Sequence, residues 1–313
     1  MDAILIMAYG SPQTPADVEP YYTHIRHGRK PSPEALADLQ ERYARVGGVT
    51  PLHRHTDAVA EKLRDLVATE GSPTPVYVGM KHWHPFIRET VHRMYADGVR
   101  RVRAIVLAPH YSKMSIGEYR RYLDEAIAEL PEPIVVDLVE SWHRQPEFVA
   151  MMADLVRDAL QQFSADERPH VKLVFSAHSL PLRIREWGDP YEGEMRESAR
   201  RVAEAVGIDD WGWAWQSAGK TGEPWLGPDI LHYLEELATE SVKSVLQIPI
   251  GFVSEHLEVL FDIDLEAKQK AAELGIHLER TELPNDRPEF IRAVRAALRD
   301  QPVNTGVQPS IAS

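Results

Sequence analysis

Four carboxylates recur along one short stretch: Glu255, Glu258, Asp262 and Glu266, within GFVSEHLEVLFDIDLE. At ~100° per residue, an α-helix would gather them into an arc of roughly 80°. Leu257, Val259, Leu260, Phe261, Ile263 and Leu265 occupy much of the remaining circumference, so this helix has no ordinary wet face. Like charges four residues apart repel by ~0.2–0.5 kcal/mol per pair even in water. A row of acids in apolar company calls for a positive counterpart, whereas a solvated row would carry no chemistry. Successive members lie ~4.5–6 Å apart along the axis, too far for all to hold one ion but suited to passing a cation or protons inward. His256 stands beside the row and could support it.

His178, in FSAHSLP, is the second candidate. Imidazole binds a divalent metal or takes a proton near neutral pH, although a lone histidine at the end of a buried strand is often structural. Carboxylate with imidazole suits iron(II), zinc or manganese; carboxylate alone suits magnesium or calcium. Ser176 and Ser179 flank His178 without a G-x-S-x-G elbow, which argues against a serine hydrolase. A third cluster places Arg26, Arg29, Lys30, Arg42 and Arg45 among Tyr21, Tyr22 and Tyr43. It reads either as a solvated face or as an anchor for a flat, apolar ligand bearing carboxylates, since guanidinium forks grip carboxylates and aromatic rings cover apolar area. AGKTG at 218–222 lacks the upstream glycine of a phosphate loop, and GSPQTP is no dinucleotide fingerprint. The pairs His53/His55 and His82/His84 read as structural.

The elements that must position these groups form an α/β chain, with short apolar runs alternating with longer amphipathic segments. Strands are predicted near 3–8, 76–79, 102–108, 134–139, 171–177, 212–216, 244–250 and 277–281, and helices near 33–46, 56–69, 86–97 and 147–163. The two sets of four strands carry matching segments in the same order: LIMAYGSP with LVFSAHSLP, VLAPHYS with LQIPIGFVS, WHRQPEFV with PNDRPEFI. A duplication is predicted, with Tyr9 and His178 in equivalent places. The first half carries an insertion at about 20–50 that holds the basic cluster. Open α/β sheets bind ligands beyond the carboxyl ends of their strands, so Tyr9, His178 and the acidic helix should face a cleft between the halves, the insertion at its rim. The expected division is 1–143, 144–300 and a flexible, polar tail 301–313.

The composition narrows the class further. The chain has 313 residues, 43% hydrophobic and 27% charged, with a net charge of −13. That acidity argues against nucleic acid as a partner. Without cysteine there are no disulfides, thiolate metal sites or cysteine-ligated iron–sulfur clusters. No apolar stretch approaches the ~20 residues needed to span a bilayer, and MDAILIMAYGSP lacks the basic start of a signal peptide. A cytoplasmic protein is expected.

MAYGSP, YYTHIRHGRKP, ERYARVGGVTPL, VLAPHYS, SAHSLP, WQSAGKTGEPWLGPD and PIGFVSEHLEVLFDID occur in order along nearly the whole chain. Together they resemble the ferrochelatase family, specifically its coproporphyrin III branch. Tyr9 in AYGSP, where protoporphyrin-type relatives tend to read NLGTP, and the polar insertion favour that branch. The resemblance implies two Rossmann-like domains, each a four-stranded parallel sheet flanked by helices, with a porphyrin cleft between them and a last helix, about 288–299, packed back on the first domain. It implies that His178 and Glu258 face the porphyrin centre and bind incoming iron(II), and that Asp262 and Glu266 continue the metal or proton path. Tyr9 approaches the metal from the opposite side, while Arg26, Arg42, Tyr43, Thr50 and Tyr119 hold coproporphyrin through its propionates and edge. Relatives can carry serine at position 50; Thr50 keeps the hydroxyl. The implied reaction inserts iron(II) into coproporphyrin III to give coproheme, by a monomer without a permanent cofactor that can dock transiently to a downstream heme-pathway enzyme. Neutral His178 is the expected proton acceptor; the reverse assignment makes it chiefly a ligand, with Tyr9 or water as base. A protoporphyrin IX ferrochelatase, a cobalt or nickel tetrapyrrole chelatase and a non-catalytic porphyrin or heme carrier are the competing readings.

Overall fold

A computed structural model describes residues 1–71, 73–219 and 221–300; the expected flexible tail at 301–313 lies outside them. Eight strands form two four-stranded parallel sheets. The first contains β1 (Asp2–Ala8), β2 (Val76–Met80), β3 (Arg101–Val106) and β4 (Val135–Val139), in the order β2-β1-β3-β4. The second contains β5 (Lys172–His178), β6 (Trp211–Gln216), β7 (Ser244–Ile248) and β8 (His277–Arg280), in the order β6-β5-β7-β8. The same permutation occurs twice, as a duplicated chain requires. The strands read as near-continuous apolar runs because helices cover both faces of a parallel sheet. Leu173, Val174 and Phe175 of β5 are fully buried, and each contributes about 1.5–3 kcal/mol through burial.

Helices α1 (Val18–Ile25), α2 (Pro33–Arg45) and α3 (Leu52–Thr69) lie between β1 and β2, the first two within the insertion. In chain order, α4 (Ile87–Ala96), α5 (Ile116–Ala128) and α6 (Pro146–Leu160) follow β2, β3 and β4, and α7 (Tyr191–Val206), α8 (Ile230–Thr239), α9 (Lys268–Glu273) and α10 (Pro288–Asp300) follow β5, β6, β7 and β8. α2 starts where Ser32 accepts the Ala35 N–H at 3.2 Å and Pro33 supplies a preset φ at the first helical position. Pro146 and Pro288, matched by the internal repeat, open α6 and α10 in the same way. α10 packs against α6, α3 and β3, and Arg103 Nε donates to the Leu298 carbonyl at 2.9 Å. Ile6, Phe148, Phe175 and Phe290 belong to one core cluster that runs through both halves. Among the described residues, no helix is long and apolar enough to cross a membrane.

In both sheets the order reverses between the first and third strands of the set, β1/β3 and β5/β7. A crevice opens beyond the carboxyl ends at such a point. Tyr9 follows β1 directly and His178 ends β5.

Candidate active site

Local backbone geometry presents the two equivalent side chains. Gly10 holds φ +86°, and a Cβ there would stand 2.9 Å from the Trp83 nitrogen, so only glycine lets the chain turn this tightly after Tyr9. On the other side, a Cβ at Gly251 would meet the Ala177 Cβ at 2.8 Å. That close approach brings the segment after β7 against the end of β5, and so brings Glu258 to His178. Ser179 is buried and pinned: its N–H donates to the Gln216 carbonyl at 2.7 Å and its hydroxyl to the Leu226 carbonyl at 2.8 Å. The Ser179 carbonyl in turn accepts from His178 Nδ1. With Nδ1 committed as donor, Nε2 points at Glu258 Oε1, 3.3 Å away. His256 Nε2 lies 3.4 Å from the other oxygen of Glu258, where the sequence placed a supporting residue.

The side chains of His178 and Glu258 are 29% and 38% solvent-accessible, and Tyr9 is 43%. All three are nevertheless surrounded closely enough to be strongly desolvated. These groups are thus in contact with solvent yet closely surrounded by protein. Burial pulls the His178 imidazole down, but the Glu258 charge and hydrogen bond more than reverse this and hold it at about 9. Against its own desolvation, Glu258 is held well below the usual carboxylate range by His178 and His256. In the free protein this pairing favours the protonated imidazole, whereas the sequence reading expected a neutral histidine. We expect a histidine NMR titration to place His178 near 9, and Glu258→Gln to lower it to ~6.5 or below, since the burial that opposes its charge remains; a wild-type midpoint near 6.5 would contradict the pairing.

The acidic row differs in form from the predicted α-helix. Val259–Ala267 is a π-helix, whose i→i+5 hydrogen bonds hold more residues per turn than the 3.6 of an α-helix. Glu258 caps its start, and Asp262 and Glu266 remain neighbours on it, since both Glu258 and Glu266 repel the Asp262 charge. Glu255 leaves the row. It precedes the helix and pairs with the Arg280 guanidinium at 3.1 Å, which also binds Asp264 at 2.7 Å. Arg42, from the insertion, reaches Asp262 at 3.4 Å, and Ser217 donates to the other Asp262 oxygen. Burial is the main force pushing Asp262 up to about 6, with the Ser217 hydrogen bond and Arg42 opposing it. Val259, Phe261 and Ile263 are buried and no residue of the π-helix is fully exposed, so the helix has the enclosed surroundings its pattern predicted. Among the described residues, no three His, Asp or Glu side chains converge tightly enough to hold one metal ion.

The remaining predicted residues are divided. Tyr43, Tyr119 and Thr50 are buried; Thr50 donates to the Ser11 hydroxyl at 3.3 Å. Arg42 and Arg45 both stack on Phe261, with guanidinium carbons 4.7 and 4.8 Å from its ring centroid. Arg26 instead lies over Tyr22 at 5.6 Å. Two neighbours of Tyr9 lie outside the site residues named from sequence, Lys81 and His82. Lys81 is buried, paired with Glu118, and 5.6 and 5.3 Å from the ring centroids of Tyr9 and Tyr119. His82 packs on Tyr9 with ring centroids 4.6 Å apart; burial and the Lys81 charge lower it to about 2. Their signal lay in strand order: β1 pairs with β2 in the register Ala8↔Met80, which sets Tyr9 beside Lys81 and His82. The other histidines named from sequence do hold structure, His53 accepting the Ser11 N–H at 3.1 Å and His55 bonding Asp286 at 2.7 Å.

Two four-stranded parallel sheets with the same strand permutation define a chelatase-like fold. Among solved structures, the chain is similar to the sirohydrochlorin chelatase SirB from Bacillus subtilis subspecies spizizenii in complex with cobalt, with a TM-score of 0.57 at 13% identity, over 95% of this chain and 94% of that one; this likeness concerns fold alone. The ferrochelatase family model matches residues 1–301, and the chain belongs to the ferrochelatase family. It is 48% identical over 300 residues to a ferrochelatase of Herpetosiphon aurantiacus, covering 96% of this chain and 98% of the relative. It is 44% identical to the coproporphyrin III ferrochelatase of Anoxybacillus flavithermus, over 93% of both chains. The corresponding enzyme of Bacillus subtilis is 42% identical over 93% of this chain and 94% of that one.

Proposed function

We propose that this chain inserts iron(II) into coproporphyrin III to give coproheme, with His178 and Glu258 as the groups that meet the metal. The observation carrying the reading is the 3.3 Å pairing of His178 Nε2 with Glu258 Oε1 in the crevice, in a chain similar over nearly its whole length to coproporphyrin III ferrochelatases. The two pyrrole N–H protons must leave as the metal enters, so metal delivery and proton acceptance have to coincide. Iron(II) approaching Glu258 cancels the negative charge that holds the proton on His178. The imidazole then passes that proton to solvent along Asp262 and Glu266 and becomes neutral; Nε2 accepts one pyrrole proton as the metal moves from it to the ring nitrogens, and the second pyrrole proton leaves through Glu258 and the same acidic path to solvent. Asp262, poised near 6, and Glu266 continue as a path for cations or protons. Tyr9 faces the macrocycle from the opposite wall, and Arg26, Arg42, Tyr43, Thr50 and Tyr119 hold its propionates and edge.

The finer reading is a cytoplasmic monomer with no permanent cofactor, divided at 143/144, that passes its reactive product to a downstream heme-pathway enzyme. Mixing apo-protein anaerobically with excess coproporphyrin III and iron(II) should give many turnovers of coproheme. Protoporphyrin IX, cobalt(II) and nickel(II) in the same assay decide substrate and metal. Stoichiometric binding without turnover would make the protein a carrier instead.

A further inference from the structure

The short segment entering α7 touches both walls of the crevice. On one side, the Tyr191 hydroxyl donates to the carbonyl of His178 at 3.0 Å, while its buried ring stacks on Trp215 with centroids 5.8 Å apart. On the other, two carboxylates flanking Tyr191 hold the loop between β3 and α5. Asp189 accepts the Lys113 N–H at 2.7 Å and the Ser112 hydroxyl at 3.1 Å. Glu194 accepts the Tyr111 N–H at 2.7 Å and the Ser141 hydroxyl at 2.9 Å. Bonds to an ionised acceptor are shorter and stronger than neutral ones, so this loop is held firmly. Ser112 is fully buried, and its carbonyl accepts the N–H groups of Ser115 and Gly117, which sets the first turn of α5. That turn carries Glu118 and Tyr119, the groups that bracket Lys81 beneath Tyr9. One six-residue segment thus references the backbone of His178 and the support of Tyr9 at once.

We propose that Tyr191, with Asp189 and Glu194, is a positioning element that sets the spacing between His178 and the Tyr9 wall. The inference rests on the reading of His178 as a reacting group, and Tyr191 acts through the His178 backbone. Misplacing a reacting group by about 1 Å can cost on the order of 10²-fold in rate, so a single hydrogen bond at this carbonyl has leverage on turnover that it lacks on folding.

Tyr191→Phe keeps the buried ring and removes only the donor. We expect kcat for iron(II) insertion to fall roughly tenfold, with the Kd for coproporphyrin III within about twofold and the unfolding midpoint nearly unchanged. A crystal structure of the variant should show the imidazole displaced by about 0.5 Å, the tolerance of a productive site. Asp189→Asn, which keeps an oxygen to accept the Lys113 N–H, should retain most of the kcat that Asp189→Ala loses. A Tyr191→Phe enzyme with wild-type kcat, or one with reduced kcat and an unmoved imidazole, would overturn the proposal, as would equal losses in the two Asp189 variants. Should the unaltered protein insert no metal, the functional reading fails by itself, and the imidazole displacement still decides the positioning claim.

Discussion

His178→Ala should lower iron insertion by roughly 10³- to 10⁴-fold while leaving coproporphyrin III binding, followed by absorbance, nearly intact. Loss of general-base assistance alone is typically ~10²–10⁴-fold, and the same substitution removes the group proposed to meet the metal. The fold should tolerate it. His178 is partly solvent-accessible on the crevice wall, and the clamp around it runs through the backbone of Ser179 and Gln216 and through the Ser179 hydroxyl. Glu258 would lose the imidazolium that holds it ionised and drift upward toward ordinary carboxylate behaviour, weakening its attraction for a cation as well. Stopped-flow measurement of metal insertion together with a porphyrin titration separates the two quantities. Turnover close to wild type would remove His178 from the chemistry.

Arg26→Ala combined with Arg42→Ala should weaken coproporphyrin III binding by roughly 10²- to 10⁴-fold, since each hydrogen-bonded charge pair with a propionate is worth about 1.5–3 kcal/mol. The two sites differ in cost before any ligand arrives. Arg26 is exposed and lies over Tyr22, whereas Arg42 must trade Asp262, Asp38 and the face of Phe261 for a propionate. The single Arg26→Ala variant should therefore show the cleaner loss of porphyrin affinity. Arg42→Ala should also raise Asp262 further, because a counter-charge opposing its burial is gone. Fluorescence titration of coproporphyrin III into the three variants checks this; unchanged affinity in the double variant would dismiss the basic insertion as an anchor.

The eight strands and the duplication were legible in the chain itself. Buried parallel strands must be apolar runs, and two copies of one unit keep matching residues at matching strand ends, as Tyr9 and His178 do. The lack of cysteine excluded thiolate chemistry outright. The enclosed surroundings of the acidic row could also be read, because apolar residues filled much of the circumference outside one acidic arc.

Tertiary packing decided the rest. A residue pattern cannot separate an α-helix from a π-helix of similar length, so Glu255 joined the row on paper and left it for Arg280 in space. Protonation of His178 was equally out of reach, since it depends on a glutamate 3.3 Å away across two strands' worth of chain. Lys81 and His82 gained their places beside Tyr9 only when β2 paired with β1. Residue type and spacing specify which groups can do chemistry and which end of a sheet they occupy. Charge state and partnership arise from contacts between segments far apart in the chain, because Coulomb attraction and desolvation act through space and follow no periodicity.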